Sequence, residues 1–301
     1  MTSTKTEPVL ALPAGQVGSV AVPAAPVRSR ATWLRHRLLA PGALISGGFL
    51  LLVLGWMVLP GVFAPFDPVS DLDSAAALTG PSSEHWFGTD PLGRDVYSRV
   101  VHGARLSMLA AGLAVAISVV AGATLGIVAG YVGRGLDSAL MRGVDVLVAI
   151  PGLLLSMVVV SMLGFGVVNV AIAVGVAGIP GIARIARAET LRILSRPYLD
   201  AARTSGLGHG RIMLRHVLPN ASGALAVLAA LELGGAILAV AALSFLGFGA
   251  VPPTPEWGAL VNEGRGYIAN AWWLTALPGV VIAATVIAIN RLSREIGVVQ
   301  R

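Results

Sequence analysis

The sequence predicts an all-α integral membrane protein with six transmembrane helices. Three observations carry that reading: 55% of the 301 residues are apolar, only 12% are charged, and the mean hydropathy is +0.81. Soluble domains carry about a quarter charged residues, so composition alone separates this chain from them. There is no Cys, and therefore no disulfide framework or thiol chemistry to place. The net charge of +6 comes from arginines spread between apolar runs. No basic block is interleaved with aromatics, so the cause is topological rather than nucleic-acid binding.

Residues 1–30 are rich in Ala, Pro and Val without a continuous apolar core or cleavage site, which predicts a disordered cytoplasmic tail rather than a signal peptide. Trp33 to Arg37 form a basic, interfacial lead-in to a first span at 39–63. A long polar stretch follows, 64–105, whose acidic balance places it outside; 31–105 is thus one unit of span and external segment, ahead of a core transmembrane unit at 106–301. Further apolar runs recur at about 106–130, 144–164, 167–183, 224–248 and 271–290. Each is near the roughly 20 residues that a hydrocarbon layer of about 30 Å requires, with 167–183 at the short limit. Pro151 and Pro180 fall inside runs, where neighbouring helices and water satisfy the freed backbone. Gly122, Gly126 and Gly130 recur every four residues, a spacing that lets two helices approach closely.

Charge fixes the orientation. With the N-terminus inside, 17 of the 21 Lys and Arg fall in inner segments and 4 in outer ones, so both termini and the loop at 184–223 are expected in the cytoplasm. That loop carries seven arginines from Arg184 to Arg215. Within it, Ser195 is expected to cap a helix of about ten residues with Pro197 in its first turn. Asp200 then lies near the positive end of the helix dipole, Ala201 and Ala202 leave room for a partner surface, and Gly206 stops the helix. Gly208, His209 and Gly210 allow a turn, and a second short helix from Arg211 is expected to end before Pro219.

Asp200-Ala201-Ala202, then Gly206, then Leu218-Pro219 resembles the Glu-Ala-Ala loop of the permease subunits of ATP-binding-cassette importers, with Asp for the usual Glu. The resemblance covers nearly all of 33–290. It implies a type I importer fold in the bacterial inner membrane and a coupling role for those six residues. The partners it implies are a homologous permease subunit, ABC ATPase subunits that bind ATP and Mg, and an extracytoplasmic substrate-binding protein. Two external stretches narrow it to the second (C-type) permease of the dipeptide/oligopeptide group. One runs from His85 through Gly88, Thr89, Asp90, Gly93, Arg94 and Asp95; the other from Leu243 through Pro252, Glu256, Trp257 and Gly258 to Glu263. Physically the first is a Gly/Pro-rich turn with alternating charges, read as a hydrogen-bonded cap on the bundle with a direct substrate role as the alternative. Arg291-Leu292-Ser293-Arg294-Glu295 departs from the Gly-Asp-Gly-Leu-Arg-Asp-like run of the group. The substrate among dipeptides, oligopeptides, nickel complexes, haem and glutathione stays open at this point.

Two carboxylates fall in or near spans. Glu232 is well inside the fifth and either lines the translocation path, favouring a substrate's amino terminus, or packs as a protonated or hydrogen-bonded residue. Asp145 reads as a boundary residue of the third. Lys5 is the only lysine, so no Walker A loop exists in the chain, which binds no cofactor of its own. The five histidines lack metalloprotease spacing, no metal site is expected, and an enzyme is poorly supported. The alternative reading is an ion-coupled secondary transporter using Glu232, although no internal repeat is visible; a membrane scaffold would have no use for the spaced loop residues.

Overall fold

A computed structural model describes residues 41–299, so the expectations for 1–30, for Trp33 to Arg37 and for the start of the first span lie outside the described residues. The described chain is a helical bundle that passes six times between two ends. Helix α1 (Pro41–Val58) is apolar all round and leads through Pro60 into a single turn, α2 (Pro60–Phe63). The external stretch then holds only a 3₁₀ turn at Ser74–Ala76 before α3 (Val96–Val132), α4 (Arg134–Val148), α5 (Gly152–Leu163) and α6 (Val167–Leu194). The inner loop contains α7 (Pro197–Thr204) and α8 (His209–Ile212), joined to α9 (Leu218–Phe245) by a π-turn at Met213–Val217. At the outer end lie α10 (Trp257–Gly264) and a 3₁₀ turn at Arg265–Tyr267, and α11 (Trp273–Val299) returns inward.

Helix α3 organises the bundle. Asp95 caps it, its carboxylate accepting from Ser98 N–H at 2.7 Å, and it runs 37 residues, roughly 55 Å. Its glycines set the distance to α6: a Cβ on Gly126 would lie 2.2 Å from the Ala183 carbonyl, and one on Gly122 would lie 2.6 Å from Ile182 Cβ. On α6 the same closeness is met by Gly175 and Gly178, which face Ile117 and Ser118. Small residues on both helices therefore form one seam, as the four-residue spacing predicts.

Around this pair sit two apolar cores. The outer one joins α1, α3, α9, α10 and α11 through Val53, Trp56, Val100, Leu243, Trp257 and Leu274. The inner one joins α3, α6, α7, α8 and α9 through Ile127, Ile182, Ile193, Leu199, Ile212 and Val217. Exposed Leu44, Ile45, Leu51 and Val120 offer an apolar exterior suited to lipid.

Five helices are long and apolar enough to cross a membrane, and the sixth passage is not the straight span expected at 144–164. It is a pair, α4 and α5, bent by 93° at Ala149, Ile150 and Pro151. Pro151 disfavours helical backbone at Ile150, and α5 has only 12 residues, roughly 18 Å. Pro180 and Pro278, by contrast, lie inside unbroken helices. The run expected at 167–183 continues to Leu194, because the arginines beyond Ala183 find partners along α4.

The inner loop differs in three details. Helix α7 has 8 residues rather than about ten. Ser195 does not cap it: the hydroxyl donates back to the Arg192 carbonyl, closing α6 instead. The helix expected from Arg211 begins at His209 and does not stop before Pro219. Widening to a π-turn at Met213–Val217 lets the chain pass Pro219, which lacks an N–H, and enter α9 without a gap.

Candidate functional site

Three regions hold the polar residues that a transport function would need: the inner loop, a cavity among the helices and the outer cap.

At the inner end, α7 is held from beneath and open above. Leu199 is 0% exposed and anchors it in the inner core, while Tyr198 and Thr204 to Gly206 face outward. Asp200, Ala201 and Ala202 occupy the middle of this helix. Gly206 follows it with φ +79°, a conformation that side chains with a Cβ rarely adopt, although the space around it is open. Leu218 and Pro219 form the exposed first turn of α9. Asn220 donates to the His216 carbonyl at 2.5 Å and to the Tyr198 hydroxyl at 3.4 Å, which ties that turn to α7.

Residues that sequence reasoning passed over brace this platform. Arg187 of α6 makes a bidentate pair with Asp137 of α4, at 2.5 and 2.6 Å. Arg184 donates to Asp145 at 2.6 Å, so the boundary aspartate finds its partner on α6. Tyr131, at the end of α3, donates to the His209 carbonyl at 2.8 Å. The only sequence signal for these contacts was an excess of charge next to apolar runs.

Between the ends, α3, α5, α6 and α9 line a half-open cavity of about 270 Å³. Its wall is built from small residues, including Gly152, Gly178 and Gly235, with Ser118, Ser156 and Glu232 as its polar groups. Glu232 is half-buried and, among the described residues, has no ion-pair partner. Nor does Glu232 make a hydrogen bond to another side chain among the described residues.

The outer cap joins two stretches far apart in sequence. Gly88 (φ +70°) and Gly93 (φ +78°) turn the chain so tightly that a Cβ on Gly93 would lie 1.8 Å from the Asp73 carbonyl oxygen. Asp90 is thereby turned inward. It accepts from Leu92 N–H at 2.8 Å, Arg94 N–H at 3.0 Å, Arg94 Nε at 2.6 Å and Arg99 Nη1 at 3.1 Å. Arg99, 2% exposed, also donates to both oxygens of Glu263 at 2.7 and 3.2 Å and to the Pro253 carbonyl at 3.3 Å. Thr89 lends its carbonyl to Trp273 Nε1 at 3.2 Å, and Asp95 holds His85 at 3.0 Å. In the second stretch Glu256, 0% exposed, caps α10 through Gly258 and Ala259 N–H and accepts from Ser107 of α3 at 2.9 Å. Every one of these groups is used in holding the cap closed, so the motif from Gly88 to Asp95 is a lock. Nearby, on the exposed turn before it, the N–H groups of Ser70 and Val69 hold the Asp67 carboxyl below its ordinary range.

Among the described residues no group of three or more His, Asp or Glu is placed to hold a metal ion. The arrangement offers a platform, a small-walled cavity and a locked cap.

The profile of the family described as binding-protein-dependent transport system inner membrane component matches residues 122–295. Among curated proteins, the dipeptide transport system permease protein DppC of Alkalihalophilus pseudofirmus is 38% identical over 245 residues, 80% of this chain and 81% of its own. The di/tripeptide transport system permease protein DppC of Pseudomonas aeruginosa is 41% identical over 254 residues, covering 83% and 84%. The glutathione transport system permease protein GsiD of Pectobacterium atrosepticum is 39% identical over 250 residues, 83% of each chain.

Proposed function

We propose a function that starts from family membership: the chain belongs to the binding-protein-dependent transport system inner membrane components. It is a multi-pass permease subunit of an ATP-binding-cassette importer, and the ion-coupled reading of Glu232 falls with that membership. Its cargo, we infer, is a short peptide. Relatives named for dipeptides, di- and tripeptides and glutathione all match over about four fifths of the chain, and glutathione is itself a modified tripeptide.

On this reading the chain forms half of a translocation pore beside a homologous permease. Separate ATPase subunits bind ATP and Mg, and an extracytoplasmic binding protein delivers the peptide to the outer cap. The observation that carries the coupling assignment is the build of α7. A helix with Pro197, Tyr198 and Thr204 exposed is pinned by the fully buried Leu199, ended by Gly206 and backed by α6, whose arginines grip α4. Force applied to Asp200, Ala201, Ala202 and Gly206 by a closing ATPase pair would pass into α6 and α9, of which Leu218 and Pro219 are the first turn. Those two helices wall the cavity that holds Glu232. Rocking of the passages then exposes the cavity to one side or the other.

The test is a mild-detergent pull-down and ATPase assay on the assembled complex with Gly206→Val. A β-branched residue at φ +79° reshapes the end of α7. The ATPase is expected to be lost from the complex, or its hydrolysis no longer to respond to the binding protein, while the permease pair stays intact. Unchanged stimulation would remove α7 as the coupling element.

A further inference from the structure

The polar groups of the cavity share one property. Ser118 spends its only donor on the Val115 carbonyl at 3.1 Å, and Ser156 spends its donor on the Gly152 carbonyl at 2.9 Å, with the Ala173 carbonyl at 3.4 Å as a second choice. Each hydroxyl is left with lone pairs only. Glu232, when ionised, is also an acceptor without a donor. The side chains of a cavity bounded by four apolar helices therefore present acceptors alone, one of them an acid with no cation opposite it among the described residues.

A carboxylate at membrane depth is costly unless a cation or a wet path answers it. A divalent metal does not fit, because no second carboxylate or imidazole lines the cavity with Glu232. A compact ammonium does: it carries three donors and no acceptor. The remaining wall is apolar, mostly Gly and Ala with Val115, Leu153 and Val174. With about 270 Å³, the cavity lies at the low edge of small-ligand sites, which run about 300–1,000 Å³. That is room for the leading residue of a peptide and not for a long folded segment.

We propose that Glu232, with the hydroxyls of Ser118 and Ser156, forms a transient site for a primary ammonium group, the free amino terminus of the peptide in transit. The proposal rests on the importer reading and deepens it. It makes Glu232 a residue that touches substrate between binding protein and cytoplasm. Selection for a free amino end is then applied inside the membrane.

The experiment uses the complete importer in proteoliposomes, with its partner permease, ATPases and binding protein, and dialanine as the probe. Glu232→Gln keeps shape and removes charge. The dialanine moved per ATP hydrolysed is expected to fall about 10- to 100-fold, the range of one hydrogen bond to a charged group. Glu232→Asp is expected to recover part of that ratio, and Glu232→Lys, which supplies a tethered ammonium, to abolish uptake. A wild-type ratio in Glu232→Gln would overturn the proposal. So would loss of the second permease from the Glu232→Gln complex, since the carboxylate would then be serving a cation of the partner subunit. If the wild-type complex hydrolyses ATP and accumulates no dialanine, the peptide reading fails instead, and the two failures are distinguishable.

Discussion

Arg99 concentrates more of the outer cap than any other side chain. It lies one turn inside α3, almost wholly buried, and answers two carboxylates that come from opposite ends of the sequence. Removing one member of such a buried set is far worse than never having built it, because the remaining charges stay behind uncompensated. Arg99→Met is therefore expected to destabilise the protein by roughly 3–5 kcal/mol, seen as a lowered midpoint for thermal unfolding in detergent. Arg99→Met combined with Glu263→Gln should recover part of the loss, since Asp90 keeps Arg94 at 2.6 Å while the orphaned Glu263 charge is gone. Nothing in the sequence marks Arg99. Asp90, Arg94 and Asp95 stand in a recognisable turn and Glu263 in a second external stretch, but the Arg99–Glu263 contact that joins them spans 164 positions, and no local pattern encodes a pairing at that distance. Glu232 was legible because a lone acid inside an apolar run has few explanations; the absence of a partner was visible only once the neighbouring helices were in place.

At the scale of elements, the seam between α3 and α6 decides whether the bundle forms. The glycine spacing on α3 announced the approach, whereas its complement on α6, Ala183, Ala186 and Thr190, carries no comparable signature. Gly126→Leu drives a side chain into the Ala183 carbonyl and Ala186, a small-to-large change in a closed interface. It is expected to lower the yield of folded, monodisperse protein severely in size-exclusion chromatography. Gly112→Leu, on the same helix where nothing lies within 4 Å, is expected to behave as wild type. The broken passage shows where such reasoning stops. Pro151, Pro180 and Pro278 all sit in apolar runs, and only Pro151 separates two helices. A proline removes one hydrogen bond in each case, and whether the helix yields depends on how firmly its neighbours clamp it. Likewise the length of α6 exceeded its apolar run because Asp137 and Asp145 make its arginines affordable there.

For the whole molecule, the charge asymmetry reads directly as orientation. Arg94 and Arg99, two of the few basic residues at the outer end, are consumed inside the cap, so the free positive charge gathers almost wholly at the end that carries α7. We expect that end, with both termini, to face the cytoplasm. The absence of cysteine makes the test clean: a membrane-impermeant maleimide should label Ser83→Cys in intact cells and Gly208→Cys only after the membrane is opened. Labelling in the reverse pattern would invert the topology. Six passages, their approximate limits and the inner platform were legible because hydropathy and charge are properties of composition along a line. The 93° bend, the cavity and the lock were not, since each is made by residues that meet only across the bundle.

That lock also orders events in time. Asp90 and Arg99 leave the ribosome long before Glu263, and four further helical passages intervene. Until α10 has been delivered to the far side, the cap is an open clasp with Arg99 short of one of its two acids. A nascent chain interrupted before Glu263 would thus display an unfastened outer surface, whereas a finished one hides it. The cap thus closes late, once α10 brings Glu263 to Arg99 and Glu256 to Ser107 and α11 brings Trp273 to Thr89.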